Sequence, residues 1–239
     1  MGFLPLVTFV GTRAEWSANP MLKLVLDETE KTGARVRFAE ATPGYDMVTV
    51  STALRFVQII VGTKDEDYVL TSDMDMFPID REFFLRGDPN KLVFMNADAY
   101  NGPSGQWNYF PMCYIGAKVR LWKDILRLSG ETMEEVLAAL LKEGCDEAKH
   151  LPDEIYFTEK VRKVGHFDGA EKLVMIGSNF RIDRSNWPTN FDISGKKDAH
   201  LPRPGYNIWA SLRKLFSILM KSDVKWADDY VAKFCAAIR

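Results

Sequence analysis

The sequence predicts an α/β fold. Short apolar runs at Leu4–Val10, Tyr68–Leu70 and Leu92–Met95 read as buried strands. Longer segments, Ala18–Thr32, Met47–Gly62, Val119–Leu128 and Met133–Leu141, carry apolar residues at helical spacing. A length of 239 residues is enough for one such domain with a proper core, or for two small ones.

The first strand is ended by Gly11-Thr12-Arg13. Glycine permits a tight turn, whose N–H groups and Arg13 side chain either face an anion or belong to an ordinary strand-to-helix connection. Met21, Leu22, Leu24, Val25 and Leu26 form the stripe of the next helix, and Gly33 stops it. Arg35–Ala39 is the second strand, and Thr42-Pro43-Gly44 is a turn. Leu54, Val57, Ile60 and Val61 share one helical face, with Arg55 off it. Ile79–Arg86 reads as a short helix, Gly87–Asn90 as a turn, and Asp98 follows the end of the strand at Leu92–Met95.

Further on, Asn101–Trp107 is a loop of small and polar residues, and Phe110–Ala117 is a strand. Thr132 and Glu135 have capping-box spacing. Pro152-Asp153-Glu154 is a good helix start, with proline first and carboxylates in the first turn. Leu173–Ile176 is a strand, and 177–188 a polar loop containing Trp187. His200 lies in a loop bounded by Pro and Gly, among Lys196, Lys197 and Arg203; His150 and His166 lack such surroundings. Two amphipathic helices, Ile208–Met220 and Val224–Ile238, are expected to pack on the domain's own core in preference to a membrane.

Bulk composition narrows the function classes. Hydrophobic residues make up 46% and charged residues 27%, as in ordinary globular proteins. A net charge of −2 gives no bulk attraction to nucleic acid or anionic membrane, so no nucleic-acid partner is expected. Cys113, Cys145 and Cys235 are widely spaced and read as reduced thiols. No apolar run reaches membrane-span length, and the apolar N-terminus lacks a basic n-region. The expectation is a soluble cytoplasmic protein with no transmembrane segment.

The most informative stretch is Asp67-Tyr68-Val69-Leu70-Thr71-Ser72-Asp73-Met74-Asp75-Met76-Phe77-Pro78-Ile79. Pro78 bars its continuation as a central strand. In an extended segment Asp73 and Asp75 point to one face, and Met74 and Met76 to the other, toward a core. Two carboxylates about 5 Å apart repel by roughly 3 kcal/mol at an effective dielectric near 20. Water, a proton or a cation must relieve that repulsion, and a hard divalent ion suits such oxygens.

This stretch resembles the Asp-x-Asp strand end of metal-dependent glycosyltransferases with the GT-A fold, and Ser51–Phe56 through Ile60 resembles the helix that precedes it. The resemblance implies a single domain over 1–239: a nucleotide-binding half at 1–100, an acceptor half at 101–207 and C-terminal helices at 208–239. It implies a central, mixed but mostly parallel sheet flanked by helices. Thr12, Arg13 and Arg55 would then contact the nucleotide sugar, Asp73 and Met74 the donor, Asp98 the sugar hydroxyls, and Trp107 would stack on a sugar ring. "FPMCYIGA" is similar to the family's acceptor-side strand in position and in Gly116, and lacks its Asn. Asp153 and Glu154 stand where the family has a short acidic element beside the donor sugar. "DAHLPRPGY" resembles the C-terminal loop of the retaining, glycogenin-like and lipopolysaccharide-transferase branch, where a His is the third metal ligand.

The implied metal set is therefore Asp73, Asp75 and His200, holding Mn²⁺ or Mg²⁺, with the diphosphate falling to Lys197 or Arg203, and Lys196 beside them. The implied partners are a nucleotide-sugar donor, UDP-linked, and a glycan or other hydroxyl acceptor, with retention of configuration. Two alternatives are a sugar-phosphate nucleotidyltransferase and a non-catalytic nucleotide-sugar-binding module. A phosphatase with an Asp-x-Asp nucleophile ranks below both, because its pair would lie on the first strand.

Overall fold

The computed structural model describes residues 3–95, 97, 110–166, 169–172, 180–184, 187, 192–202, 209–221 and 223–237. The chain divides into two compact units, each assembled from two segments. The first comprises Met1–Ser72 and Gly87–Val174, the second Asp73–Arg86 and Met175–Arg239. The first cut falls immediately before the Asp-x-Asp stretch.

In the first unit, β1 (Leu6–Val10) pairs in parallel with β2 (Arg35–Ala39), Leu6 opposite Arg35 and Val10 opposite Ala39. Two helices connect them, α1 (Arg13–Ala18) and α2 (Pro20–Lys31). The sequence suggested one helix here; Asn19 divides it by capping the N–H groups of Met21 and Leu22 ahead of Pro20. α3 (Met47–Ile60) follows, its first turn capped by Asp46. A second sheet has the order β3 (Tyr68–Leu70), β6 (Ile115–Lys118), β5 (Val93–Phe94), β7 (Glu171–Lys172). Its β3–β6 and β6–β5 ladders are antiparallel and β5–β7 is parallel.

The expected strand over Phe110–Ala117 is shortened at its start. Thr71 is buried, and its hydroxyl donates to Met112 O at 2.6 Å and accepts from Ile115 N at 3.0 Å. That clamp holds 112–114 in a turn, with Tyr114 in the left-handed region at φ 64°, before the ladder begins. The core is formed by one face of α3 with α5 (Val119–Leu126), α6 (Met133–Gly144) and α7 (Asp153–Lys163). Phe157 stacks on Phe56 at 5.8 Å and meets Trp122 at 4.9 Å. Each such buried side chain contributes roughly 1.5–3 kcal/mol. The predicted Thr132–Glu135 capping box opens α6, and Pro152 is the residue before α7, not its first.

In the second unit a three-stranded sheet has the order β4 (Met76–Pro78), β9 (Asp198–His200), β8 (Arg181–Ile182). β4 is an edge strand, where Pro78 is tolerated. α4 (Arg81–Phe84) follows it, and α8 (Trp209–Met220) and α9 (Lys225–Ala237) end the chain. Ile182, Ala199 and Leu215 form the core, with Phe77, Ile79, Trp187, Ile193 and Leu219 against it.

The α/β class is as expected. Among the described residues, however, the ladders form three small sheets with parallel and antiparallel pairs in equal number, not one mostly parallel sheet. The apolar runs are too short for wider pairing: β3 has three residues and β5 two. The strand expected at Leu173–Ile176 lies outside the described residues. Among those described, no helix is long and apolar enough to cross a membrane.

Gly116 meets a packing demand that only the structure shows. A Cβ there would lie 2.0 Å from Tyr68 Oη, on the neighbouring strand. Gly116→Ala is expected to cost about 1–3 kcal/mol by overpacking. Urea unfolding of G116A alone and combined with Y68F checks this, because removal of the hydroxyl should recover part of the loss.

Candidate functional site

The Asp-x-Asp stretch is a turn rather than an extended strand end. Met76 N donates to Asp73 O at 3.2 Å, which closes a turn with Met74 and Asp75 at its tip. Side chains in a turn do not alternate, so the expected two-faced arrangement does not form. Met76 is buried, but Met74 is 87% exposed and not in a core.

Asp75 is positioned by the ladder that follows. β4 and β9 pair with Met76 opposite His200, and Leu201 N donates to Asp75 O at 2.8 Å. This register places Asp75 Oδ2 3.6 Å from His200 Nε2. Arg184 joins them: its Nη2 donates to Asp75 Oδ2 at 3.0 Å and also contacts His200 Nε2. On the other side of the ring, His200 Nδ1 lies 3.6 Å from Asp183 Oδ1. Trp187 Nε1 donates to His200 O at 2.8 Å and pins the strand backbone. A guanidinium donating to Nε2 fits the neutral imidazole with its proton on Nδ1.

Partial burial holds the His200 pKa below its ordinary value, and the Arg184 charge pushes the same way; Asp75 opposes both. Beneath the site, the wholly buried Asp198 carboxylate takes three short contacts from Arg181, the closest 2.6 Å from Nη2. Burial raises the Asp198 pKa while Arg181 counteracts it. Removing either partner of such a pair leaves a buried charge uncompensated.

The remaining residues singled out from sequence are engaged elsewhere. Among the described residues, no group of three His, Cys, Asp or Glu is gathered to hold a metal. Thr12 and Glu15 form a reciprocal capping box, with Thr12 N donating to Glu15 Oε2 at 2.7 Å, while Gly11 N donates to Ala39 O. Arg13 pairs with Glu30 at 2.7 Å and lies over the Phe38 ring. The chain's own carboxylates thus take the place of the anion considered for that turn. Lys197, expected at a diphosphate, is bound to Asp80, and its backbone carbonyl accepts from Ile79 and Asp80 N–H. That contact holds the Asp80 carboxyl below the usual range.

Two predicted residues do meet. In the first unit Arg55 Nη1 donates to Asp153 Oδ2 at 3.1 Å, both side chains being about four-fifths buried. Asp153 Oδ1 accepts from Glu154 N, and Glu154 Oε1 accepts from Met112 N at 3.3 Å. Asp98, Trp107 and Arg203 lie outside the described residues. Sequence reasoning missed Arg184, Asp183 and the Arg181–Asp198 pair. The available signal was the run Arg181-Ile182-Asp183-Arg184, dense in charge within a segment read only as a polar loop.

Comparison with known proteins finds no match for this chain among protein-family models, curated proteins or solved structures.

Asp75 and His200 offer one carboxylate oxygen and one imidazole nitrogen on neighbouring positions. Their 3.6 Å separation is near the about 3 Å between two ligands of an ion bound at about 2.1 Å. The pair already attracts a cationic side chain, so donor types and charge both fit a divalent ion.

Two predictions follow from these contacts. A double-mutant cycle on Arg55→Ala and Asp153→Ala, read by urea unfolding, should give a coupling of about 1 kcal/mol. The lowered His200 pKa means that below about pH 6.5, the ordinary value, the unfolded chain binds a proton that the folded chain resists. Stability should therefore be full above that pH and fall as pH drops through this window; in His200→Gln that part of the slope should vanish.

Proposed function

We propose that this chain is a metal-dependent glycosyltransferase of the GT-A fold. It moves a sugar from a nucleoside diphosphate donor, UDP-linked, to a hydroxyl of a glycan or other acceptor with retention of configuration. One observation carries the proposal. The resemblance picked out His200 as a metal ligand together with the Asp-x-Asp pair, and His200 lies beside Asp75.

In this reading Asp75 and His200 hold the ion, which when bound supplies a Lewis acid for the departing diphosphate. Burial holds the His200 pKa low, which favours the neutral imidazole; its Nε2 lone pair, which accepts from Arg184 in this structure, is the one an ion would take. Asp183, facing Nδ1, orients the ring as an outer partner. Asp73 and Met74, on the same turn, are assigned to the nucleotide. The Gly11-Thr12 N–H groups are occupied by Ala39 O and Glu15, which disfavours a phosphate-cradling loop and hence a nucleotidyltransferase.

The test is release of UDP from a panel of UDP-sugars with and without Mn²⁺. Asp75→Ala and His200→Ala should each lower the metal-dependent rate by a factor of about 100 or more. A D75A protein with full turnover in the presence of chelator would overturn the proposal.

A further inference from the structure

Arg184 is poorly explained as a stability element. It is 37% exposed, and its Nη2 is shared between Asp75 and the uncharged face of His200. Among the described residues its buried Nε–H has no hydrogen-bond partner. Its two hydrogen-bonded side-chain partners among those residues are the groups that the proposed function assigns to the ion. A guanidinium and a divalent cation cannot both occupy the space between an oxygen and a nitrogen 3.6 Å apart.

We infer that Arg184 is a built-in competitor for the cation site: it neutralises Asp75 in the metal-free protein and must leave when a divalent ion enters. The inference rests on the reading of Asp75 and His200 as ligands. Leaving costs Arg184 its carboxylate partner. An ion that arrives with a diphosphate offers it another, since phosphate oxygens accept the same planar fork of donors. The site therefore discriminates against bare ions and favours ion and diphosphate together. Thermodynamic linkage makes the preference reciprocal: the diphosphate strengthens ion binding by the same factor as the ion strengthens diphosphate binding.

The experiment titrates Mn²⁺ into the full chain and follows loss of the free-ion electron paramagnetic resonance signal, alone and with saturating UDP, the latter read against a protein-free Mn²⁺–UDP titration because UDP itself chelates the ion. For the wild-type chain, UDP should tighten Mn²⁺ binding by about tenfold or more. In Arg184→Gln, Mn²⁺ alone should bind about fivefold to tenfold tighter, and the gain from UDP should shrink by a similar factor. Arg184→Lys keeps the charge but loses the fork, so both quantities should fall between wild type and R184Q. Circular dichroism and urea unfolding check that the variants fold. If R184Q misfolds, R184K decides: its binding of Mn²⁺ alone must exceed wild type. An R184Q or R184K protein that binds Mn²⁺ no tighter than wild type overturns the competitor role. Failure of the underlying reading looks different. Either no variant binds Mn²⁺, or Asp75→Asn binds it as well as wild type does, and both results overturn the site itself.

Discussion

The candidate site depends on a three-residue antiparallel ladder. Pairing of Met76–Pro78 with Asp198–His200 sets Met76 opposite His200, and the Leu201 N–H to Asp75 carbonyl bond extends the contact by one step. The ladder also puts Ala199 in the core and Asp198 under it. A slip of one residue would turn His200 into the core and Ala199 outward. Burial of Ala199 and the Arg181–Asp198 pair oppose that slip, so groups outside the candidate site fix the relation between Asp75 and His200.

The electrostatics follow from that placement. Asp75 and His200 are each about four-fifths buried, which makes an unpaired carboxylate costly and a charged imidazole costlier. Arg184 resolves the first problem and worsens the second, and the ring stays neutral. Two acids flank the ring from different elements, Asp75 from the turn and Asp183 from beside β8. The result is a cluster with negative charge on the carboxylates and a lone pair on an imidazole nitrogen that faces Arg184. Elsewhere in the same unit, Lys197–Asp80 is a close pair framed by backbone bonds from Ile79 and Asp80 to the Lys197 carbonyl.

Much of the first unit was legible in the sequence because its signals are local. Helical stripes, the Thr132–Glu135 capping box and the Asp153–Glu154 helix start depend on neighbours within a few residues, and they appear where expected. Strand lengths and sheet continuity were not legible. The clamp by Thr71 that delays β6 reaches across more than 40 positions, which periodicity does not register. Asn19, likewise, split a helix whose apolar stripe runs on.

For the site, the sequence by itself determined which residue types were available: a carboxylate pair beside a proline-ended strand, and a histidine isolated among basic residues. Tertiary structure decided which of them meet. It set Asp75 one step along the ladder from His200 and turned Met74 out to solvent, because the Asp-x-Asp stretch forms a turn and not a strand. It brought Arg184 from a segment with no motif, and it spent Arg13 and Lys197 on carboxylates of the chain itself. The reason is physical: charge partners are selected by distance and desolvation in three dimensions, and neither quantity is encoded in spacing along the chain.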